Sequence, residues 1–527
     1  MRQLSGNDAR FLYSDTAHAN ANITKIQIYD QSTARGGKVR FKSILSHIEG
    51  RLDCSPIFRQ RLHRVPLELD YPYWIEDENF DLEYHVRHIA LPKPGDWRQF
   101  CIQASRIHAR SLDLSRPLWE IYVIEGLDGF LDLPADSFAL LTKVHHAAID
   151  IEGGGITALL HDATPDPPAS APPAPWFPEP PPGRAAMLMR GLANNVTSPF
   201  RFARAIARLA PGAFTLAGDI LLRPERIAAT RFNAVVSAHR VFETRRFMLE
   251  EFKAIRPLVD GATVNDVVLA VCGGALRRYL DAEQELPTAS LTAIAPYYIR
   301  RGEGAPADKP AMSWVRVQLG TDIADPVRRL VRVHAQTAAS ETIAEAIGAR
   351  ELTDIGSFTP SVTLALTSKM LGRAAAGIGR RAPLAHCTIT NVPGPSAPLY
   401  MCGARMTYFS AIMPIADGMG LVFAVTSYDG RIIISPTSCR ELMPDPAQFA
   451  QCIRDSFEEY LALVPTTAPP KRRRSGEAAL QVRSLRPGPT RGSSSGTTPP
   501  KRLRARKAAT APPAGPGDRQ RHKARAH

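Results

Sequence analysis

Several features that mark common protein classes are missing from this 527-residue sequence. No window reaches the ~18 consecutive apolar residues of a membrane-spanning helix, and the N-terminus, Met1 to Asp8, lacks the apolar core of a signal peptide. The seven cysteines occur singly, with no C-x-x-C pair and an odd total, which disfavours a disulfide framework and a zinc site. We therefore expect a chain that is made and kept in the cytoplasm.

Sequence motifs for nucleotide and metal chemistry are missing as well. The chain has no Walker A loop, no G-x-G-x-x-G after a strand pattern and no H-E-x-x-H. Gly273 and Gly274 lie inside a helical pattern, so they predict close helix packing rather than phosphate binding. We expect neither a metal nor a cofactor.

Positive charge is concentrated in the C-terminal tail. The formal net charge is +14, yet residues 471–527 alone hold 16 Lys or Arg against two acids, which leaves 49 bases and 49 acids in the rest of the chain. A segment this basic and this rich in Pro, Ser, Gly and Ala cannot bury enough apolar surface to fold, so it predicts disorder. Such a tail either attracts anionic membranes or nucleic acid, or remains solvated. The neutral body lacks the basic stripe of a nucleic-acid enzyme.

Proline placement divides the chain. The run from Pro165 to Pro182 is too rich in proline for a helix or a central strand and predicts an extended connector. After it, Ala185 to Leu222 carries four arginines among apolar residues and no acid before Asp219. This pattern is typical of a basic amphipathic helix, which either packs on its own protein or lies on an anionic membrane. The predicted segments are an N-terminal α/β domain, a connector with this crossover helix, a second α/β domain and a disordered tail, at residues 1–164, 165–238, 239–465 and 466–527.

Local patterns predict several elements within the two α/β units. Val39 to Leu52 and Val267 to Leu280 have helical periodicity, with Thr263 or Asn265 as the N-cap of the second helix. Trp119 to Ile124 is typical of a strand, and Asp429-Gly430 between two apolar runs predicts a β-hairpin.

The chemistry of the chain is concentrated in the segment from Lys143 to Asp150. His145 and His146 end an apolar strand-like run that begins at Ser137, and Asp150 follows four residues after His146. A neutral imidazole takes a proton near pH 7, and a carboxylate can hold its tautomer, which suits the deprotonation of an alcohol, thiol or amine in acyl transfer. The alternative is two inert histidines at the end of a strand.

Further segments carry a family resemblance. With the H-H-x-x-x-D element, they make the chain resemble the wax ester synthase/acyl-CoA:diacylglycerol acyltransferases of bacterial storage-lipid metabolism, from about residue 4 to about residue 464. The matching segments are Leu4-Ser5-Gly6-Asn7-Asp8-Ala9, Arg116-Pro117-Leu118-Trp119-Glu120, Asn265-Asp266-Val267-Val268-Leu269-Ala270 and Thr390-Asn391-Val392-Pro393-Gly394-Pro395.

The resemblance implies an α/β fold of two chloramphenicol-acetyltransferase-like domains with the active site at their interface. It implies acyl-CoA as co-substrate and a lipid alcohol as acceptor. By the match to the motif, His146 would be the general base, His145 would shape the site or support the oxyanion, and Asp150 would be architectural. Ile151 stands where the family has glycine, and a β-branched side chain does not readily adopt positive φ.

The leading interpretation is therefore the acylation of diacylglycerol to triacylglycerol. Wax ester synthesis from a long-chain alcohol fits the same motif. A peptide-synthetase condensation domain shares the double histidine, but no carrier domain is visible in the sequence. A catalytically weak protein that binds a membrane or lipid-droplet surface is the interpretation from a different class. No obligate protein partner is evident.

Overall fold

The computed structural model describes residues 1–127, 133–134, 136–149, 155–168, 175–194, 228–298, 312–347, 383 and 385–465. The helices in this part are α1 Gly6–Ser14, α2 Phe41–Glu49, α3 Leu82–His85, α4 Trp97–Ala109, α5 Gly155–Leu160, α6 at 184–194, α7 Leu249–Ile255, α8 Val264–Ala282, α9 Pro326–Ile347 and α10 Pro446–Leu461. The strands are β1 Arg2–Gln3, β2 Asn22–Asp30, β3 Gln60–His63, β4 Tyr73–Glu76, β5 Val86–Ala90, β6 Trp119–Glu125, β7 Phe138–His145, β8 Arg240–Phe242, β9 Arg245–Met248, β10 Thr292–Tyr298, β11 Met312–Gln318, β12 Cys387–Pro393, β13 Tyr400–Met401, β14 Ala404–Ile412, β15 Val422–Tyr428 and β16 Arg431–Cys439.

The first large sheet has the strand order β13-β14-β2-β7-β6-β5. Every residue of β7 is buried, including the polar side chains of Thr142, Lys143 and His145. β14 joins this sheet from the second half of the chain and pairs antiparallel with β2, Ile412 facing Thr24. The sheet that carries the two histidines is therefore completed by a strand roughly 260 residues further along the chain.

The second large sheet has the order β11-β10-β12-β15-β16-β8, and β9 also pairs with β16. The hairpin between β15 and β16 turns at Asp429 and Gly430, whose φ angles are 46° and 74°. Positive φ at both positions is the geometry that makes Asp-Gly a favoured hairpin turn, so this prediction is confirmed.

Helix α8 packs beneath the second sheet and begins with a capping box. The Thr263 side chain accepts from the backbone N–H of Asp266 at 3.1 Å, and the Asp266 carboxylate accepts from the N–H of Thr263 at 2.8 Å. Thr263 is therefore the N-cap. The glycines in the helix permit close packing as predicted, since a Cβ on Gly274 would lie 2.1 Å from Oγ of Ser456.

Helix α4 lies between the two large sheets. Its Phe100 and Ile107 share one buried apolar cluster with Ile26 of the first sheet and with Phe242 and Ile433 of the second. Burying such side chains stabilises the fold by about 1.5–3 kcal/mol each, so this helix joins the two sheets through one interior.

Of two predicted segments, one lies partly and the other wholly outside the described residues. From the predicted basic helix, 185–194 form the body of α6, and the remainder to Leu222 lies outside the described residues. The tail from residue 466 also lies outside them. Within the described parts of the chain, no helix is both long and apolar enough to span a membrane.

Candidate active site

The two histidines occupy a tight turn at the end of β7. β7 ends at His145, and a single 3-10 turn, His146–Ala148, follows it. The N–H of His145 donates to the carbonyl of Leu118 at 3.0 Å, and the N–H of His146 donates to that of Ala21 at 2.8 Å. Both backbones are thus fixed by neighbouring segments, and the predicted position at the end of a strand is confirmed.

The His145 imidazole is buried and has both ring nitrogens occupied. Its Nδ1 accepts from the N–H of Ala147 at 3.1 Å, and its Nε2 lies 3.1 Å from Oδ2 of Asp15. Since Nδ1 acts as an acceptor, we assign the proton to Nε2, which donates to the carboxylate. With no free lone pair, His145 is placed to hold the turn rather than to take a proton from a substrate.

The His146 imidazole lies flat against the ring of Phe11. The two ring centroids are 3.7 Å apart and the planes differ by 17°. Its Nδ1 is buried and has no hydrogen-bond partner among the described residues, so Nε2 is the nitrogen left to meet a substrate. Burial lowers the pKa of His146 to about 4, and the neighbouring His145 and Arg10 act in the same direction. The imidazole is therefore neutral at pH 7, which is the form a base requires.

The loop that carries Asp15 is tied to the second half of the chain. Oδ1 of Asp15 accepts from the N–H of Ala21 at 2.8 Å. Within the same loop, the carbonyl of His18 accepts from Arg240 at 2.7 Å, and Nε2 of His18 lies 3.3 Å from Asp417. The histidine turn therefore lies where the two halves of the chain meet.

A buried ionic network surrounds Lys143 of β7, two residues before His145. Nζ of Lys143 donates to Glu120 at 3.3 Å and to the carbonyl of Ile107 at 3.2 Å. Glu120 also accepts from Tyr122 at 3.0 Å and from Arg87 at 3.2 Å. Burial lowers the pKa of Lys143, and Glu120 opposes that shift. The network joins β5, β6 and β7 to helix α4 beneath the site.

A small cavity of about 70 Å³ adjoins the turn. It lies on the face of the first sheet opposite the Lys143 side chain, since Thr142 and Val144 of β7 line it. Its lining is mainly apolar and includes Ala148 and Ile149 of the turn and Ile156 of α5, with Lys25 and Thr142 among its few polar residues. Burial lowers the pKa of Lys25.

The structure places only part of the predicted site. His145 and His146 are described, whereas Asp150 and Ile151 lie outside the described residues. Asp15 and Phe11, which contact the two histidines, were not predicted, because nothing in the local sequence links α1 to a strand end about 130 residues away. In the described part of the chain, no group of three or more His, Cys, Asp or Glu side chains is placed to hold a metal ion.

Comparison with known protein families decides the identity. Residues 4–268 match the wax ester synthase/diacylglycerol acyltransferase catalytic domain, and residues 311–460 match the C-terminal domain of the same family. The chain belongs to the wax ester synthase/diacylglycerol acyltransferase family. A candidate diacylglycerol O-acyltransferase of Mycobacterium tuberculosis is 31% identical over 474 residues, covering 88% of this chain and 90% of that protein. Another from the same organism is 28% identical over 503 residues, covering 88% and 97%. As a member of this family, the protein is an acyltransferase.

Solved structures show the same fold. The wax ester synthase/diacylglycerol acyltransferase of Marinobacter aquaeolei VT8 is 24% identical with a TM-score of 0.60, covering 87% of this chain and 98% of that one. The first condensation domain of the calcium-dependent antibiotic synthetase is 15% identical with a TM-score of 0.50, covering 88% and 96%. The predicted α/β fold of the chloramphenicol-acetyltransferase type is confirmed. The family match, rather than the shared fold, separates this chain from the condensation domains.

Proposed function

We propose that the protein transfers an acyl group from acyl-CoA to the free hydroxyl of diacylglycerol, giving triacylglycerol and coenzyme A. The observation that carries this proposal is the neutral, largely buried imidazole of His146 in a chain of the acyltransferase family. The relatives named for diacylglycerol acylation support the choice of acceptor.

His146 is the general base in this proposal. Its Nε2 takes the proton of the acceptor hydroxyl as the oxygen attacks the thioester carbonyl. When the tetrahedral intermediate collapses, the C–S bond breaks and the imidazolium returns the proton to the thiolate of coenzyme A. One ester and one thiol form for each thioester and alcohol consumed, so the step balances without an oxidant, a reductant or a further co-substrate.

His145 and Asp15 are positioning residues in the same proposal. The Asp15 carboxylate fixes the ring of His145, and His145 in turn holds the N–H of Ala147 at the start of the 3-10 turn. Their effect on the reaction is to keep the backbone that carries His146 in one geometry, and proximity of this kind is a large part of enzymatic rate enhancement. Asp150 keeps its proposed architectural role.

The acceptor also bears on where the enzyme works. Diacylglycerol partitions into bilayers and lipid droplets rather than into water, so the proposal places the enzyme at the surface of one of them. A wax ester synthase would draw its long-chain alcohol from the same kind of surface, and the Marinobacter protein carries both activities in its name.

The test is a turnover assay with labelled acyl-CoA and equal amounts of diacylglycerol and a long-chain alcohol. The expected main product is triacylglycerol, and His146→Ala lowers its rate by roughly 10²- to 10⁴-fold. His239→Gln, at an exposed histidine that pairs with Glu441, is the matched control and keeps full activity. Wax ester as the main product would move the assignment to the alternative acceptor. Absence of any ester, or unchanged turnover by His146→Ala, would overturn the mechanism.

A further inference from the structure

A strained and exposed leucine lies on the loop between β3 and β4. Leu67 has φ of 60° and its neighbour Glu68 has φ of 52°, a conformation that costs energy for residues other than glycine. Despite this, Leu67 is 84% exposed to solvent. A large apolar side chain held in water by a strained backbone has no evident role in stabilising the fold, which points to a contact outside the protein.

Helix α6 lies directly beside this loop. Its Met187 is fully buried in a small cluster with Val65 and Tyr73. A Cβ on Gly191 would approach Val65 to 3.0 Å, so the helix packs closely on the loop. Asn194 donates to Asp70 at 2.6 Å. Residues 187, 191 and 194 therefore form the inner face of α6, and the helix is fixed in place.

The outer face of α6 is apolar as well. Met189 is 66% exposed and Leu192 is 46% exposed, and the exposed alanines Ala185, Ala186 and Ala193 share that side. A helix that packs only on its own protein has a polar outer face. This face and Leu67 of the adjacent loop both present exposed apolar side chains, a feature that marks interaction sites when such side chains cluster.

The charges around this surface are mainly positive. Residues 61–69 and 184–194 contain four arginines, at 61, 64, 184 and 190, and a single acid that is exposed, Glu68. Glu68 is paired with Arg64 at 2.9 Å, and both Arg184 and Arg190 are exposed. Arg184 also lines the open cleft of about 630 Å³ beside Leu67. Exposed apolar residues next to exposed arginines match an anionic lipid surface, which offers both an apolar interior and negative headgroups.

We infer that Leu67, Met189 and Leu192, with Arg184 and Arg190, form a docking face that seats the enzyme on an anionic phospholipid bilayer. The inference deepens the proposed function, on which it rests for the choice of a lipid surface over a protein partner. Insertion of the three apolar side chains removes them from water, and the arginines contact the headgroups.

The test measures the partition of the full chain onto vesicles of phosphatidylcholine with phosphatidylglycerol, without turnover. The basic C-terminal tail also attracts such vesicles, so partition is compared at low salt and at about 1 M salt, where screening acts within roughly 3 Å. Binding that persists in salt comes from apolar insertion. The expected result is that Met189→Gln/Leu192→Gln lowers this salt-resistant partition tenfold or more, while Arg184→Gln/Arg190→Gln lowers the low-salt partition by a similar factor.

Leu67→Gly separates docking from folding. Glycine adopts the left-handed conformation without strain, so this variant keeps or raises the thermal midpoint of unfolding while it weakens salt-resistant partition. Val331→Gln changes an apolar residue on α9 that is 49% exposed and serves as the matched control with unchanged partition.

Equal partition of the docking-face variants and the control overturns the inference. A concentration-dependent dimer that the same variants abolish also overturns it, because the surface would then be an interface between copies of the chain. Neither result alters the test of the proposed function, which rests on ester product.

Discussion

Oδ2 of Asp15 lies 3.1 Å from Nε2 of His145, and the two residues are 130 positions apart in the chain. This contact fixes the tautomer of His145 because the other ring nitrogen already accepts from the N–H of Ala147. The first histidine of the motif, His145, therefore has a structural role because both of its ring nitrogens have partners. The second, His146, keeps Nε2 free to accept a proton from a substrate.

Replacing Asp15 tests its positioning role. Asp15→Asn keeps the size of the side chain and an oxygen for the N–H of Ala21 but loses the charge that holds His145. We expect kcat to fall on the order of tenfold or more with little change in KM. Asp417 contacts the same loop through His18, so Asp417→Asn serves as the control and keeps kcat. Steady-state kinetics on both variants decide the matter, and equal kcat values in the two would refute the role of Asp15.

Removing the ring that covers His146 should change the pH dependence of the reaction. Phe11→Ala admits water to the imidazole, and since burial is the main cause of its lowered pKa, the pKa rises from about 4 toward its ordinary value. The acid limb of the profile of kcat/KM against pH then moves to higher pH. Phe80→Ala removes a ring stacked on His85 instead and leaves the limb in place. An unshifted limb in Phe11→Ala would contradict the assignment of His146 as the titrating base.

Stability should fall as the pH drops below 6.5. Burial lowers the pKa of His108 and His161 to about 3 and that of His146 to about 4, from an ordinary value of 6.5. Between these values and 6.5 the unfolded chain binds protons that the folded chain does not, so the free energy of unfolding decreases as pH falls through this window. Each such histidine contributes up to about 1.4 kcal/mol per pH unit. Denaturant titrations between pH 7 and 5 measure the slope, which His161→Gln should reduce; an unchanged slope in that variant would contradict the contribution of His161.

The buried pair of Lys143 and Glu120 gives a further test. Both side chains are almost wholly buried, so Glu120→Gln leaves an ammonium group in the interior without its counter-ion. We expect a loss of about 3 kcal/mol in the free energy of unfolding. The double variant Lys143→Met/Glu120→Gln removes both charges and should recover part of that loss. A double variant as unstable as the sum of its single changes would show that the two charges do not interact.

Elements set by local patterns were predicted well from the sequence. The apolar run ending at His145 is β7, Asp429-Gly430 turns a hairpin, and Thr263 caps α8. Boundaries were less accurate: the helix predicted for Val39 to Leu52 spans Phe41–Glu49. In each case the evidence lies within a few residues of the element, where periodicity, caps and turn residues act.

Contacts between distant segments could not be predicted in the same way. Nothing in the sequence of β14 shows that it pairs with β2 in the first sheet, and nothing near His145 indicates Asp15 as its partner. The exposure of Leu67 likewise depends on how α6 packs beside its loop. Strand register and side-chain burial arise from the packing of whole elements, which a local pattern does not encode.

The sequence by itself determined the motif, its position at a strand end, the family and the neutral balance of charge outside the tail, because each depends on residue type and spacing alone. Only the tertiary structure decided which of the two histidines keeps a ring nitrogen available to accept a proton from a substrate. It did so by bringing α1 against the turn: Asp15 engages His145, and Phe11 stacks on His146, whose burial lowers its pKa. Hydrogen-bond partners and dielectric surroundings belong to the folded chain, since burial exists only once distant segments have packed together.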